Sequence, residues 1–172
     1  MLKIKKALKS NLLQAKKICV LGIGSELRGD DAGGMLAAEY LKVACRSVKT
    51  KVPLRIVFGS TAPENFTGLI RKFNPTHLVI IDSTDLEKKP GSIAVIDEQE
   101  IGGISFSTHR LPLKVLIDYL VKALGCKVIV IGIQPKTLEF GAKPSKEVEK
   151  KAHLLCNAIT EIITGNFKKR VR

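Results

Sequence analysis

The segment GIGSELRGDDAGG, residues 22–34, follows a short apolar run and places two adjacent carboxylates, Asp30 and Asp31, among glycines. A glycine-rich turn after a strand can cradle a phosphate, and its dinucleotide-binding form requires the pattern G-x-G-x-x-G. In this segment the third glycine position of that pattern is occupied by Leu27. The Gly-Lys-Ser/Thr of a nucleoside-triphosphate loop is also missing, and the carboxylates would repel a pyrophosphate. The segment is therefore not predicted to bind phosphate.

Carboxylates at the end of a strand are suited to a cation instead. Asp31 lies in the glycine loop, Asp82 ends the strand-like run HLVIID, and His109 lies in SFSTHRLP. Two carboxylates and one imidazole suit a first-row divalent ion, and three protein ligands leave positions for water or an incoming ligand. The spacing is too wide for a local metal motif, so the residues leave a second interpretation open. In it, Asp31 caps a helix, Asp82 ends a strand in a turn, and His109 is an ordinary loop residue.

The usual protease motifs do not accompany these residues. The sequence contains neither H-E-x-x-H nor G-x-S-x-G. Its cysteines never form a CxxC pair, which argues against a zinc or redox site. They are predicted to be small core residues: Cys19, Cys45, Cys126 and Cys156.

Strand-like and helical segments alternate along the chain and must position these side chains. Apolar runs rich in β-branched residues predict strands at 17–23, 54–60, 77–82, 91–97 and 127–133. Helical spacing of apolar residues predicts helices at 2–15, 32–46, 64–73, 111–124 and 145–164. This order predicts an α/β fold, a three-layer αβα sandwich with an about five-stranded, mostly parallel, twisted sheet and helices on both faces. Ligands of such sheets bind beyond the carboxyl ends of the strands, where Asp31 and Asp82 are expected.

The apolar faces of two helices can be read from the same spacing. In the helix at 32–46, the apolar face is expected to contain Leu36, Tyr40 and Val43. In the last helix, His153 is expected on the surface, away from a stripe formed by Val148, Ala152, Leu155, Ile159 and Ile162.

Length and charge bound the possible functions. The 172 residues fit a single domain, with a basic N-terminal helix at 1–17, the αβα domain at 18–164 and a basic tail at 165–172. The net charge of +13 favours an acidic partner or nucleic acid, but the few aromatics do not alternate with arginine as in single-strand binding platforms. No apolar run reaches the roughly 18 residues of a membrane span, and the N-terminus lacks the apolar core of a signal peptide. A cytoplasmic location is expected.

Five stretches together resemble a known family in order and spacing: GIGSELRGDDAGG, GSTAPENF, VIIDSTD with PGSIAVID, STHRLPLKVLIDYL and VIVIGIQP. They are similar to the maturation endopeptidases of [NiFe] hydrogenases, from about residue 17 to residue 163. The THxxPL and GIQP stretches resemble the formate-hydrogenlyase (hydrogenase-3) type. The αβα sandwich expected from the alternation is also the fold of that family.

The resemblance implies a cytoplasmic, aspartic-like endopeptidase that removes a short C-terminal extension from the hydrogenase large-subunit precursor after nickel insertion. It implies that Asp31, Asp82 and His109 bind the metal and carry the catalysis. The nickel is carried by the substrate, so the resting enzyme is expected to hold at most a divalent ion from the buffer. The expected partners are the precursor and its maturation chaperone, without nucleic acid or membrane, and the enzyme is expected to be a monomer.

Two positions depart from the family pattern, which commonly has Asn at Ser25 and Gly at Ala32. Serine can still hydrogen-bond a turn, and alanine indicates that a positive φ is not needed there or is displaced onto Gly33. The cleavage step is left open among a metal-polarised carbonyl, a metal-bound hydroxide and a carboxylate general base. Two other functions also stay open: a non-catalytic, nickel-sensing accessory protein and a basic nucleic-acid-binding module.

Overall fold

The computed structural model describes residues 1–96, 101 and 113–165. Within them, one sheet contains the strands β1 Ile18–Ile23, β2 Leu54–Ser60, β3 His77–Ser83, β4 Ile93–Ile96 and β5 Lys127–Ile133. The helices are α1 Leu2–Leu12, α2 Gly33–Ala44, α3 Thr67–Phe73, α4 Leu113–Leu124 and α5 Lys146–Thr164. Short 3-10 turns at Gly29–Ala32 and Pro63–Phe66 precede α2 and α3, so the helix predicted at 64–73 is split.

The strand order is β2-β1-β3-β5-β4. The first four of these strands are parallel, and β4 runs antiparallel to β5 at the edge. The predicted five-stranded, mostly parallel sheet is therefore confirmed. Because the chain moves from β1 outward to β2 and then back across to β3, the order reverses between β1 and β3. Open α/β sheets bind their ligands at such a point.

Helices cover both faces of the sheet. Residues of β1 and β3 are buried along their whole length and point alternately to the two sides. On one side α1, α2 and α5 pack through a core that includes Leu8, Leu41 and Leu155. On the other side α3 and α4 pack through a core that includes Ile70 and Leu120. This arrangement is the predicted three-layer αβα sandwich.

The basic N-terminal helix is packed on the rest of the protein. Leu8 and Leu12 of α1 are buried in the same core as α5, and Lys5 forms an ion pair with Glu161. The division of the chain at residues 17 and 165 stays a prediction, as does the cytoplasmic location. None of the described helices is long and apolar enough to cross a membrane.

The buried face of α2 differs in part from the expected one. Val43 is 54% exposed, and Leu36 and Tyr40 are only half-buried. The residues that pack most deeply are small ones, Ala37 and Ala38, together with Leu41. Small side chains let the helix approach the sheet closely, so the most buried positions lie beside the expected ones. Leu36 and Tyr40 still pack against the core, as expected, whereas the expectation is wrong for Val43.

Candidate active site

The glycine loop after β1 folds back on itself and against the end of β3. Gly24 has a φ of +130°, and a Cβ at this position would lie 1.8 Å from the carbonyl oxygen of Asp31. A Cβ on Gly34, in the first turn of α2, would lie 2.1 Å from the carbonyl oxygen of Ile81. Only glycine fits such approaches. As a result, the 3-10 turn that contains Asp31 contacts β3, the strand that carries Asp82.

Asp31 is held through one of its two carboxylate oxygens. Its side chain is 2% exposed, and Oδ2 accepts a hydrogen bond from the backbone N–H of Ser25 at 2.8 Å. The other oxygen, Oδ1, is buried and has no hydrogen-bond partner in the described part of the chain. A buried acceptor without a partner is costly and is characteristic of a site that receives a ligand. The hydrogen bond to Oδ2 thus orients the Asp31 carboxylate, while Oδ1 can still accept a hydrogen bond or bind a cation.

Ser25 and Ala32, the two departures from the family pattern, fit this loop. The hydroxyl of Ser25 accepts a hydrogen bond from the N–H of Leu27 at 3.3 Å and so closes the turn locally. Ala32 has φ and ψ of −65° and −6°, and Gly33 has a φ of −55°. Neither position needs a positive φ, which the loop adopts at Gly24 and Gly29 instead.

Asp82 is fully buried at the end of β3. Its Oδ1 accepts a hydrogen bond from the N–H of Ser83 at 2.8 Å. Across the sheet its partner is Gly132 of β5, where a Cβ would lie 2.9 Å from the Cβ of Thr84. The absence of a side chain at Gly132 therefore makes room for Thr84, two residues after Asp82. Asp31 and Asp82 lie at the carboxyl ends of β1 and β3, on the same side of the sheet's strand ends, as the sequence predicted.

His109 lies outside the described residues. In the described part of the chain, no three His, Cys, Asp or Glu side chains are grouped as a metal site. The ligand set Asp31, Asp82 and His109 accordingly stays a prediction, with two of its three members placed.

Asp30 has a role that the sequence did not indicate. It is fully buried, and its Oδ2 accepts hydrogen bonds from the backbone N–H of Lys136 at 2.7 Å, the hydroxyl of Ser145 at 2.8 Å and the N–H of Thr137 at 3.4 Å. Its Oδ1 accepts a bond from the N–H of Ser145 at 2.5 Å. Asp30 therefore ties residues 136–145, hereafter the anchored loop, to the glycine loop. Most of these donors are backbone groups more than a hundred residues away, so no local pattern could show them.

The GIQP stretch also has a structural role. Gln134 follows β5, and its Oε1 accepts hydrogen bonds from the N–H groups of Leu86 at 2.7 Å and Lys88 at 3.2 Å. Its Nε2 donates to Oδ1 of Asp85 at 3.2 Å. The glutamine thus holds the segment after Asp82 in place at the edge of the sheet.

The cysteines are poor candidates for a nucleophile. Burial raises the pKa of the Cys19 thiol to about 12, although the charge of Arg55 acts in the opposite direction. Burial also raises the pKa of the other three thiols: Cys45, Cys126 and Cys156. The prediction that cysteines belong to the core is confirmed for Cys19, Cys126 and Cys156, whereas Cys45 is half-buried.

Comparisons with known proteins agree with this architecture. Residues 35–162 match the model of the HycI family, hydrogenase maturation protease. The chain belongs to the hydrogenase maturation protease family. Hydrogenase 3 maturation protease of Escherichia coli K12 is 38% identical over 122 residues, which cover 70% of this chain and 74% of that protein. The resemblance seen in the sequence motifs is confirmed.

Solved structures of the family share the fold. A crystal structure of a [NiFe] hydrogenase maturation protease HycI from Thermococcus kodakarensis has a TM-score of 0.82 and 32% identity and covers 91% of this chain and 98% of its own. The solution structure of the endopeptidase HycI from Escherichia coli has a TM-score of 0.72 and 33% identity, with coverage of 82% and 87%. As a member of this hydrogenase maturation protease family, the chain is an endopeptidase. Membership favours catalysis over the non-catalytic sensor and the nucleic-acid-binding module.

Proposed function

We propose that this endopeptidase removes the C-terminal extension of a [NiFe] hydrogenase large-subunit precursor after nickel insertion. In this proposal the nickel belongs to the substrate, and Asp31, Asp82 and His109 bind it. The precursor, with its maturation chaperone, is the partner, and the enzyme acts as a monomer. Family membership supports the protease activity. The similarity to hydrogenase 3 maturation protease of Escherichia coli supports a hydrogenase-3-type precursor as the substrate.

The observation that carries the nickel proposal is that only one carboxylate oxygen of Asp31 accepts a hydrogen bond in the described part of the chain. Its Oδ2 is fixed by Ser25, while the buried Oδ1 has no partner among the described residues. Such an oxygen gains a favourable interaction only when a donor or a cation arrives. A divalent ion fits, because it accepts oxygen ligands and relieves the repulsion between two carboxylates at one edge.

Nickel recognition of this kind gives the enzyme its specificity. A precursor that contains nickel gains the metal–ligand contacts, whereas an empty precursor presents the same polypeptide without them. Specificity is then the difference in affinity between two states of one substrate. Cleavage is expected only after the metal centre has been filled.

The test is cleavage of purified precursor, loaded with nickel or nickel-free, by the wild type and by Asp31→Asn, Asp82→Asn and His109→Ala. We expect the wild type to cleave only the loaded precursor and the three variants to cleave neither. Asp118→Asn is a matched control, because Asp118 lies on the exposed face of α4 and pairs with Lys114. Cleavage of nickel-free precursor at the normal rate, or full activity in any of the three variants, would contradict the proposal.

The metal content of the resting enzyme provides an independent test. Two carboxylates and one imidazole lack the four-ligand shell, often rich in thiolate, that retains structural zinc. After dialysis, elemental analysis is expected to find no tightly held metal. One stoichiometric equivalent of zinc would instead indicate an ordinary metallopeptidase.

A further inference from the structure

A turn beside the candidate site presents an exposed aromatic side chain. In residues 139–142, hereafter the aromatic turn, the N–H of Ala142 donates to the carbonyl of Glu139 at 3.3 Å, and Gly141 has a φ of +78°. Phe140, at the second position of this turn, is 77% exposed. Turns usually place Gly, Pro, Asn, Asp or Ser at such positions. A phenyl ring exposed in a turn is informative because it buries little apolar surface, so packing within the described part of the chain does not account for it.

Two further apolar residues surround Phe140. The N–H of Gly141 donates to the carbonyl of Leu27 at 2.8 Å, which places the aromatic turn beside the glycine loop. Leu27 is 62% exposed and Leu138 is 38% exposed. Leu27, Leu138 and Phe140 form an apolar patch that borders the turn of Asp31. The N–H of Asp31 donates to the carbonyl of Arg28, the residue that follows Leu27, at 3.0 Å.

The patch is held firmly in this position. The Asp30 carboxylate binds both ends of the anchored loop, at Lys136 and at Ser145. Backbone hydrogen bonds reinforce the contact, from Gly29 to the carbonyl of Ala142 at 3.1 Å and from Asp30 to that of Thr137 at 2.9 Å. A surface that is already ordered loses little conformational entropy when a partner binds.

We propose that this patch docks an apolar segment of the folded precursor beside the bond that is cleaved. The inference rests on the proposed function, because an endopeptidase must hold a polypeptide at the edge where Asp31 lies. The patch is continuous with that edge. Rigid aromatic side chains are also the usual anchors of protein interfaces.

Charge adds a second feature of the partner. In the sequence around the patch, Arg28 and Lys143 are balanced by Glu26 and Glu139, so these four charges sum to zero and favour neither sign of partner. The net charge of +13 acts over a longer range and favours a precursor whose surface around the docked segment is acidic.

The test compares the KM and kcat of Phe140→Ser with those of the wild type on nickel-loaded precursor. We expect KM to rise about tenfold with kcat unchanged, because the exposed ring contributes to binding, whereas the proposed catalytic carboxylates of Asp31 and Asp82 are buried. Leu13→Ser is the matched control. Leu13 is 75% exposed but lies near Ile18, at the amino end of β1 and away from the candidate site. The KM of Leu13→Ser should therefore equal that of the wild type.

Direct binding separates this inference from the proposed function. In an Asp82→Asn background, where cleavage is expected to be absent and the loss of that nickel ligand is common to both proteins, adding Phe140→Ser should lower the affinity for loaded precursor about tenfold relative to Asp82→Asn alone. An unchanged affinity and KM would overturn the docking surface while leaving the protease assignment intact. A dimer in sedimentation that Phe140→Ser dissociates, with unchanged KM, would assign the patch to a second copy of the chain and also overturn it.

Discussion

The two adjacent aspartates of the glycine loop should respond in opposite ways to the same substitution. Asp30 accepts four hydrogen bonds and holds the anchored loop, whereas Asp31 accepts one and has a second oxygen without a partner among the described residues. Asparagine has nearly the same shape as aspartate but replaces one acceptor oxygen with a donor group. We expect Asp30→Asn to lose stability and Asp31→Asn to lose activity.

The size of the effect at Asp30 follows from its contacts. The least costly orientation of the asparagine keeps its oxygen on Lys136 and the Ser145 hydroxyl and turns its amide group toward the N–H of Ser145. One hydrogen bond to a carboxylate is then lost, about 1.5–3 kcal/mol, and a buried N–H is left facing another donor. The free energy of unfolding should fall by about 3 kcal/mol, which lowers the Tm of a chain of this size by roughly 6–12 °C.

At Asp31 the same substitution should cost little stability. The amide oxygen can keep the bond from Ser25, and the amide group occupies the position of the oxygen without a described partner. We expect a change below about 1 kcal/mol in the free energy of unfolding. Cleavage of loaded precursor should nevertheless be lost, because a cation would lose its oxygen ligand.

Urea denaturation followed by circular dichroism, with cleavage measured on the same preparations, tests both halves. Below the unfolding transition, Asp30→Asn should retain part of its activity. If Asp31→Asn were destabilised as much as Asp30→Asn, Asp31 would be a structural residue. If Asp30→Asn were as stable as the wild type, the anchoring role of Asp30 would be wrong.

Two other predictions follow from the pKa shifts of buried groups. Because burial raises the pKa of the thiols, iodoacetamide at pH 8 should leave precursor cleavage by the native enzyme unchanged; inactivation that tracks thiol labelling would contradict this. At His77, burial and then the charge of Lys127 lower the pKa in the folded state, outweighing a hydrogen bond that the imidazole donates to the backbone of Asn11, which raises it. The unfolded chain therefore binds more protons just below the ordinary histidine pKa, and stability should fall as the pH drops from 7 toward 5. In His77→Gln this fall should be smaller, and an identical pH profile of urea midpoints would refute the assignment.

The sheet could be predicted from the sequence because its signals are local. Each of the strands β1, β3 and β5 contains an apolar run bounded by polar or turn residues, and their order along the chain indicated a parallel sheet. The most deeply buried positions of α2 could not be predicted in this way. Its contacts are set by how closely the helix approaches β1 and β3, and Gly34 and Ala38 matter there because they are small.

The candidate site was predictable in part. That Asp31 and Asp82 would lie at the same end of the sheet followed from the parallel order of the strands. The difference between Asp30 and Asp31 did not, because it depends on which carboxylate faces the distant anchored loop. In α5, the helical spacing of apolar residues likewise missed a buried residue. Ile163 is buried but was not in the predicted stripe, whereas Ile162, which was, is half-buried.

The contact between Asp30 and Ser145 spans 115 residues of the chain and has a consequence for how the enzyme is made. A growing chain cannot form this contact until most of its length has left the ribosome, so the glycine loop reaches its final geometry late. Contacts of such high sequence separation form after the local ones, and their loss mainly accelerates unfolding rather than slowing folding. The glycine loop therefore acquires this anchor only after the chain has been synthesised as far as Ser145, and until then Asp30 lacks the donors that hold it in the finished fold.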